Sequence, residues 1–325
     1  MSDLTIRELA PADGPEVVRL LSTTLGWTAD ARHERLFDWK HRCNPFGPSL
    51  AWVAVVDGRI VGLRAFLRWE LLWRDRVVLA ARAVDTATHP DHRGAGVFSR
   101  LTRHGLAALE RAGIEFVFNT PNDQSRPGYL KMGWEEVGRA PLQVRVASVA
   151  SLRAVTRARV PAELWSVAAG AGRPAADVLG DAPALDDLLA SQPPSAGLAT
   201  RRTPAFLRWR YGGLDELAYR AVCDGAGPAG GVALFRLRRR GPAVEAMIGD
   251  VLAPGGDRRR AASLARLVAR TSGADYAVAA GAPRLGGFLP LPRQGPVVTW
   301  KAVAAAPLRP PIRSWGLSLG DIELF

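Results

Sequence analysis

A chain of 325 residues has room for two domains of ordinary size, and 48% hydrophobic residues suffice for real cores. No apolar run reaches the eighteen or so residues that a membrane span needs, and the N-terminus enters a strand pattern at once, without the charged-then-apolar pattern of a signal peptide. Lys and Arg (43) outnumber Asp and Glu (31) for a formal charge of +12, and only Lys40, Lys131 and Lys301 are lysines, an arginine bias typical of high-GC bacterial coding sequences. Cys43 and Cys223 are far apart and no Cys/His group has zinc spacing, so a reduced, cytoplasmic setting without a metal is expected. Arg236-Leu237-Arg238-Arg239-Arg240 and Arg258-Arg259-Arg260 read as solvated loop charge, since a nucleic-acid surface needs a clustered patch with aromatic or groove-reading elements.

In chain order, Leu4 to Leu9 alternates like a strand, and Pro11-Ala12-Asp13 precedes an amphipathic helix through Leu21. Val53 to Val56, Asp57-Gly58 and Ile60-Val61-Gly62 form a hairpin signal. Val84 to Gly96 reads as a strand running into a glycine-containing turn that opens a helix. Such a turn aims unpaired N–H groups and the positive end of the helix dipole at one spot, which suits a pyrophosphate. Gly94 and Gly96 let the backbone approach the phosphates closely. A strand then ends at Asn122, a helix begins near Ser125 and carries Tyr129, and Gly133-Trp134 closes it and enters the next strand.

These residues resemble the acyl-CoA site of the GNAT acetyltransferase superfamily. The family's loop is Arg or Gln, two variable residues, Gly, one variable residue, then Gly or Ala. Arg93 and Gly96 fit its first and fourth positions, while Phe98 departs at the sixth and is expected to push the helix off its neighbour or fill a widened groove. Asn122, Ser125, Tyr129, Gly133 and Trp134 keep the family's downstream spacing, and the element order agrees over roughly the first 145 residues. The resemblance implies an α/β fold with a central, mostly antiparallel sheet flanked by helices. It implies acetyl-CoA or another acyl-CoA as cosubstrate, held by Thr86, Ala87 and Thr88, by the loop Arg93, Gly94, Ala95, Gly96, Val97 and Phe98, and by Asn122 and Ser125. Tyr129 then protonates the CoA sulfur. Asp85 is the expected base, with an ion pair to Arg82 or Arg93 as its alternative role; His89 is expected to fix the loop. For the acceptor, Phe46 is the expected wall, with Trp39 beside it, although Phe37 and Trp39 recur later in the chain and so also read as core.

The recurrence is part of a hidden repeat. Phe206-Leu207-Arg208-Trp209-Arg210-Tyr211 parallels Phe37-Asp38-Trp39-Lys40, and the following strands, helix (Ala261 to Arg270) and strand (Gly273 to Ala279) parallel those of the first half. The copy lacks the glycine loop and puts Asp257 where an anion would sit, so it is expected to brace the first unit or to wall its acceptor pocket. The expected division is 1–146, a catalytic unit, and 147–325, a linker with a degenerate unit and a C-terminal tail. That tail, Trp315 to Phe325, is expected either to bring a carboxylate (Asp321, Glu323 or the Phe325 terminus) to the first unit as a base or to pack on the second.

The function that follows is transfer of an acetyl or other short acyl group from acyl-CoA to a primary amine of a small molecule by direct attack. A Fem-type transferase using aminoacyl-tRNA is favoured by the charge but disfavoured by the retained pyrophosphate loop. A non-catalytic acyl-CoA-binding protein is the third possibility. A monomer or homodimer without membrane partners is expected.

Overall fold

A computed structural model describes residues 4–158, 160–281, 284–305 and 307–323. The first sheet grows from the short N-terminal strand β1 (Thr5–Glu8), followed by helices α1 (Gly14–Leu25) and α2 (Ala31–His41). Strands β2 (Leu50–Val56) and β3 (Arg59–Trp73) are joined at Asp57-Gly58, whose φ values of 49° and 76° match the turn geometry that suits twisted hairpins. After β4 (Arg76–Thr88) come α3 (Val97–Arg111), β5 (Phe116–Asn119), α4 (Arg126–Lys131), β6 (Glu135–Arg139) and β7 (Leu142–Val146).

The second half continues with α5 (Leu152–Arg157), β8 (Ser166–Val167), β9 (Arg173–Pro174), α6 (Ala175–Leu179), α7 (Ala182–Ala190) and β10 (Leu198–Thr200). Then follow α8 (Pro204–Gly212), β11 (Arg220–Cys223), β12 (Val232–Arg240), β13 (Ala243–Leu252), α9 (Arg258–Thr271), β14 (Tyr276–Ala280), β15 (Leu289–Leu291), β16 (Val297–Ala302) and α10 (Leu319–Ile322).

Both sheets are mixed and mostly antiparallel, flanked by helices, as two GNAT-like units require. One runs β1-β2-β3-β4-β5-β16-β6, the other β15-β7-β14-β13-β12-β11-β9. Each has a central parallel pair: Ala80–Arg82 of β4 with Phe116–Phe118 of β5, and Glu245–Met247 of β13 with Tyr276–Val278 of β14.

The compact units do not meet at one point near residue 147. The first comprises residues 1–71, 77–138 and 297–309, and the second comprises 72–76, 139–296 and 310–325. Strand β16, late in the chain, fills the slot between β5 and β6; β7, from the first half of the chain, fills the slot between β14 and β15. The two units thus exchange one interior strand each. Sequence alternation marks both segments as strands but carries no information on which partner each chooses, since either slot offers the same backbone groups.

In the first unit α3 lays Val97, Leu101, Gly105 and Leu109 against the sheet, a spacing of four that keeps one helix face inward. Gly105 permits the close approach, because a Cβ there would stand 2.5 Å from Phe66 and 3.0 Å from Trp52. In the second unit α9 does the same with Leu264, Ala265 and Val268 over Phe235 and Ile248.

Candidate functional site

The turn after β4 has the backbone that a phosphate needs. Gly94 and Gly96 take φ of 78° and 73°, and no atom lies within 4 Å of where a Cβ would stand on either. Gly96 caps α3 without any side-chain hydrogen bond, so the first N–H groups of a fifteen-residue helix have no capping side chain. Arg93 beside them is exposed, while His89 holds the preceding turn, its Nδ1 facing the Asp91 amide at 3.4 Å.

The corresponding turn of the second unit carries a carboxylate at its cap. Gly255 and Gly256 also have positive φ (62° and 67°), but Asp257 accepts hydrogen bonds from the amides of Arg259 (2.8 Å) and Arg260 (3.2 Å). Those amides hold its carboxyl below the usual range. A Cβ on Gly256 would press on Pro193 at 2.8 Å. The chain's own carboxylate occupies the place of an anion there.

Asn122 lies past the end of β5, which stops at Asn119, three residues earlier than expected. Its Oδ1 accepts from both the amide and the hydroxyl of Ser125, each at 2.9 Å, so its side chain shapes the turn into α4. On α4, Tyr129 is buried (4% exposed), and Gly133 ends the helix at φ 80°. Phe98 stands edge-on to the Tyr129 ring with centroids 5.5 Å apart, and it lies against Gly128, where a Cβ would come within 3.3 Å. The large residue at the sixth loop position therefore fills the groove beside Tyr129.

Arg64 is the residue the sequence reading missed. It sits on β3, fully buried, and its Nη1 donates to Tyr129 Oη at 2.7 Å and to Thr86 Oγ1. Phe66, Tyr129 and Phe98 rings flank the guanidinium at 4.4, 5.2 and 5.6 Å. Its Nε and Nη2 have no hydrogen-bond partner, and no carboxylate among the described residues pairs with it. Leaving a buried cation uncompensated is costly. The signal was present: Arg64 is the one charge in the otherwise apolar run Ile60 to Leu67.

Asp85 does not serve this cluster. Neighbouring strand residues face opposite sides, and while Thr86 meets Arg64, Asp85 meets α2. Its oxygens accept from Lys40 Nζ at 3.0 and 2.8 Å and from His41 Nε2 at 2.8 Å. Burial pushes the Asp85 carboxyl up, but Lys40 and His41 outweigh burial and hold it below the ordinary range. Burial likewise keeps His41 below its ordinary value, and a neutral imidazole fits its surroundings, with Nε2–H donating to Asp85 and Nδ1 facing the Ser49 hydroxyl at 2.9 Å. The expected base, and its expected partners Arg82 or Arg93, give way to a buried Lys40–Asp85 ion pair.

The repeat explains why. Asp85 and Asp250 each lie five residues beyond the first parallel pair (80 to 85 and 245 to 250). Asp250 accepts from Tyr211 Oη at 2.6 Å, and Tyr211 follows Trp209 by two residues as His41 follows Trp39. In both units an aspartate ties the sheet to the helix before it, including the unit whose anion site is filled. The aspartate is a structural tether.

The remaining expected residues separate. Trp39 is core at 3% exposure, anchoring α2, and is corrected from a substrate contact. Phe46 is half-buried and packs edge-on against Trp69 at 6.0 Å, its amide held by Asn44 Oδ1. Ala87 and Val97 are buried, whereas Thr88 and Ser125 are half-buried and Ala95 is exposed. The tail packs within the second unit: Asp321 meets Arg202 at 3.0 Å and Glu323 meets Arg238 at 2.5 Å, so neither carboxylate is a free base. The expected role for the Phe325 terminus lies outside the described residues. No metal-holding group of His, Cys, Asp or Glu, and no helix long and apolar enough to cross a membrane, occurs among the described residues.

Residues 5–137 match the family model for the GNAT acetyltransferase domain. The match lies almost entirely within the first unit and supports acyl transfer as its general chemistry. The chain resembles the GCN5-related N-acetyltransferases of Kribbella flavida (17% identity, TM-score 0.61) and Anabaena variabilis (14%, 0.62), covering 93% of this chain and 71% and 73% of theirs. Eis1 from Mycobacterium abscessus is similar over 93% of this chain and 74% of its own (15% identity, TM-score 0.55). At such identities the likeness concerns the fold, and it extends over both units. No curated protein matches the chain.

Proposed function

We propose that the first unit transfers an acetyl or other short acyl group from acyl-CoA to a primary amine of a small molecule by direct attack. The observation that carries this reading is the contrast between two helix starts of one chain: open at Gly96, closed by Asp257 in the copy. The amides from Gly94 to Phe98 and the exposed charge of Arg93 would hold the pyrophosphate. Acyl-CoA supplies the thioester whose C–S bond breaks as the amine nitrogen bonds to the carbonyl carbon. Tyr129 gives its phenolic proton to the departing sulfur, and Arg64, already donating to that oxygen at 2.7 Å, holds the negative charge left behind. The proton released by the acylated amine returns to Tyr129 through water, so Tyr129 and Arg64 end as they began. Asp85 takes no part.

Calorimetric titration with acetyl-CoA tests the binding half. Gly96→Val should abolish binding, because a β-branched residue is strained at φ 73° and its side chain fills the phosphate space. Gly255→Val should leave binding intact. The reverse pattern would assign acyl-CoA to the second unit.

A further inference from the structure

The second unit keeps a cleft although its phosphate donors are taken. Pairing of β13 with β14 stops at Met247–Val278, and the residues beyond, Ile248 to Ala253 and Ala279 to Gly281, line a cavity of about 950 Å³. A unit that only braced its neighbour would gain by packing this space shut.

The lining has two chemistries. Ile248, Leu252, Trp315 and Leu317 are buried and form an apolar floor. Arg74, Arg258, Arg284 and Arg313 are exposed and form a rim, and they come from four separate stretches of the chain: the β3–β4 turn, the start of α9, the segment after β14, and the turn before α10. None of the four has an ion-pair partner among the described residues. Arg202 and Asp250, also in the lining, neutralise each other at 2.6 Å, which leaves Asp75 as the only other carboxylate there. A concave, low-dielectric wall focuses such a field, and the volume suits an organic ligand. With Asp257 on the amides of α9, a pyrophosphate cannot lie as it would in the first unit.

We infer that this cavity binds an amphipathic anion: an apolar body seated on Ile248 and Trp315, with a carboxylate or phosphate head held by the arginine rim. The inference is independent of the acyl-transfer reading.

The probe is 8-anilinonaphthalene-1-sulfonate, an aromatic body with one anionic head, titrated by fluorescence into the full chain under saturating acetyl-CoA. Its neutral counterpart is N-phenyl-1-naphthylamine. The sulfonate should bind one per chain and more tightly than the neutral probe, and Arg258→Ala/Arg313→Ala should weaken it at least tenfold while leaving the neutral probe unchanged. Both arginines are exposed, so folding is not at stake. Displacement by decyl phosphate alone, or by decanoate alone, supports the inference and names the head group. Equal affinity for the two probes, full affinity in the double variant, or displacement by inorganic pyrophosphate as effective as by decyl phosphate would each overturn it.

Discussion

Arg64 and Asp85 lie on adjacent strands, and their charges are treated in opposite ways. Asp85 is fully matched by Lys40 and His41, whereas Arg64 is buried with two N–H-bearing nitrogens unmet. Matching implies stability and mismatch implies work, so the two should separate in mutants. Arg64→Met should lower turnover by about 100-fold or more, as losing a charge-stabilising donor does, while leaving the melting temperature unchanged or higher. Tyr129→Phe should lower turnover about 100- to 10,000-fold with acetyl-CoA affinity retained. Unchanged rates in either variant, with chemistry shown to be rate-limiting, would remove that residue from the mechanism. Asp85→Asn should instead cost about 3–5 kcal/mol of stability, read by denaturant titration, because the buried Lys40 would lose the negative charge it faces. The same cluster sets an acid sensitivity. His41 and Asp85 both have depressed folded-state values, so the unfolded chain takes up their protons first. Stability should therefore decline as pH falls below His41's ordinary value of 6.5, and decline again below Asp85's ordinary 3.8. Replacing His41 with Gln should flatten the first step; a melting curve indifferent to pH between 7 and 5 would contradict this (a window chosen around that value of 6.5).

Among the elements, α3 and α9 are the informative pair. They have similar length and packing and differ at the cap, so Asp257→Ala should lower the melting temperature without altering acetyl-CoA affinity. A gain of a second acetyl-CoA site in that variant would show that the cap alone silenced the copy. Much of this was legible from residues. The loop Arg93 to Phe98, the Asn122–Trp134 spacing and the recurrence of the Trp39 motif at Trp209 are local patterns, and local patterns survive in one sequence. What was not legible is what depends on partners far away. The carboxylate of Asp85 could be read as base or tether until α2 was seen to supply Lys40. Arg64's role likewise required α4 to bring Tyr129 across 65 residues.

For the whole molecule, strand exchange makes each unit's sheet depend on the other half of the chain. A protein of residues 1–146 lacks β16, so β5 and β6 would face an empty slot with their backbone groups unpaired. It should fail to give a dispersed NMR spectrum although it contains every residue assigned to chemistry. The full chain should melt in a single calorimetric transition, because the chain of each unit is interrupted by chain belonging to the other. Two resolved transitions would contradict that coupling.

Exchange also orders events during synthesis. Strands β1 to β6 have all been made by residue 139, yet β16 arrives only with residues 297–302, and Thr299 must find Asn119 across 180 positions. At elongation of about 5–20 residues per second, the gap lasts roughly ten to thirty seconds. Throughout it the first sheet waits with an open slot on the ribosome. A message cut short after Tyr129 would encode the proposed loop and acid without β16, so activity should appear only once residues 297–302 have been made.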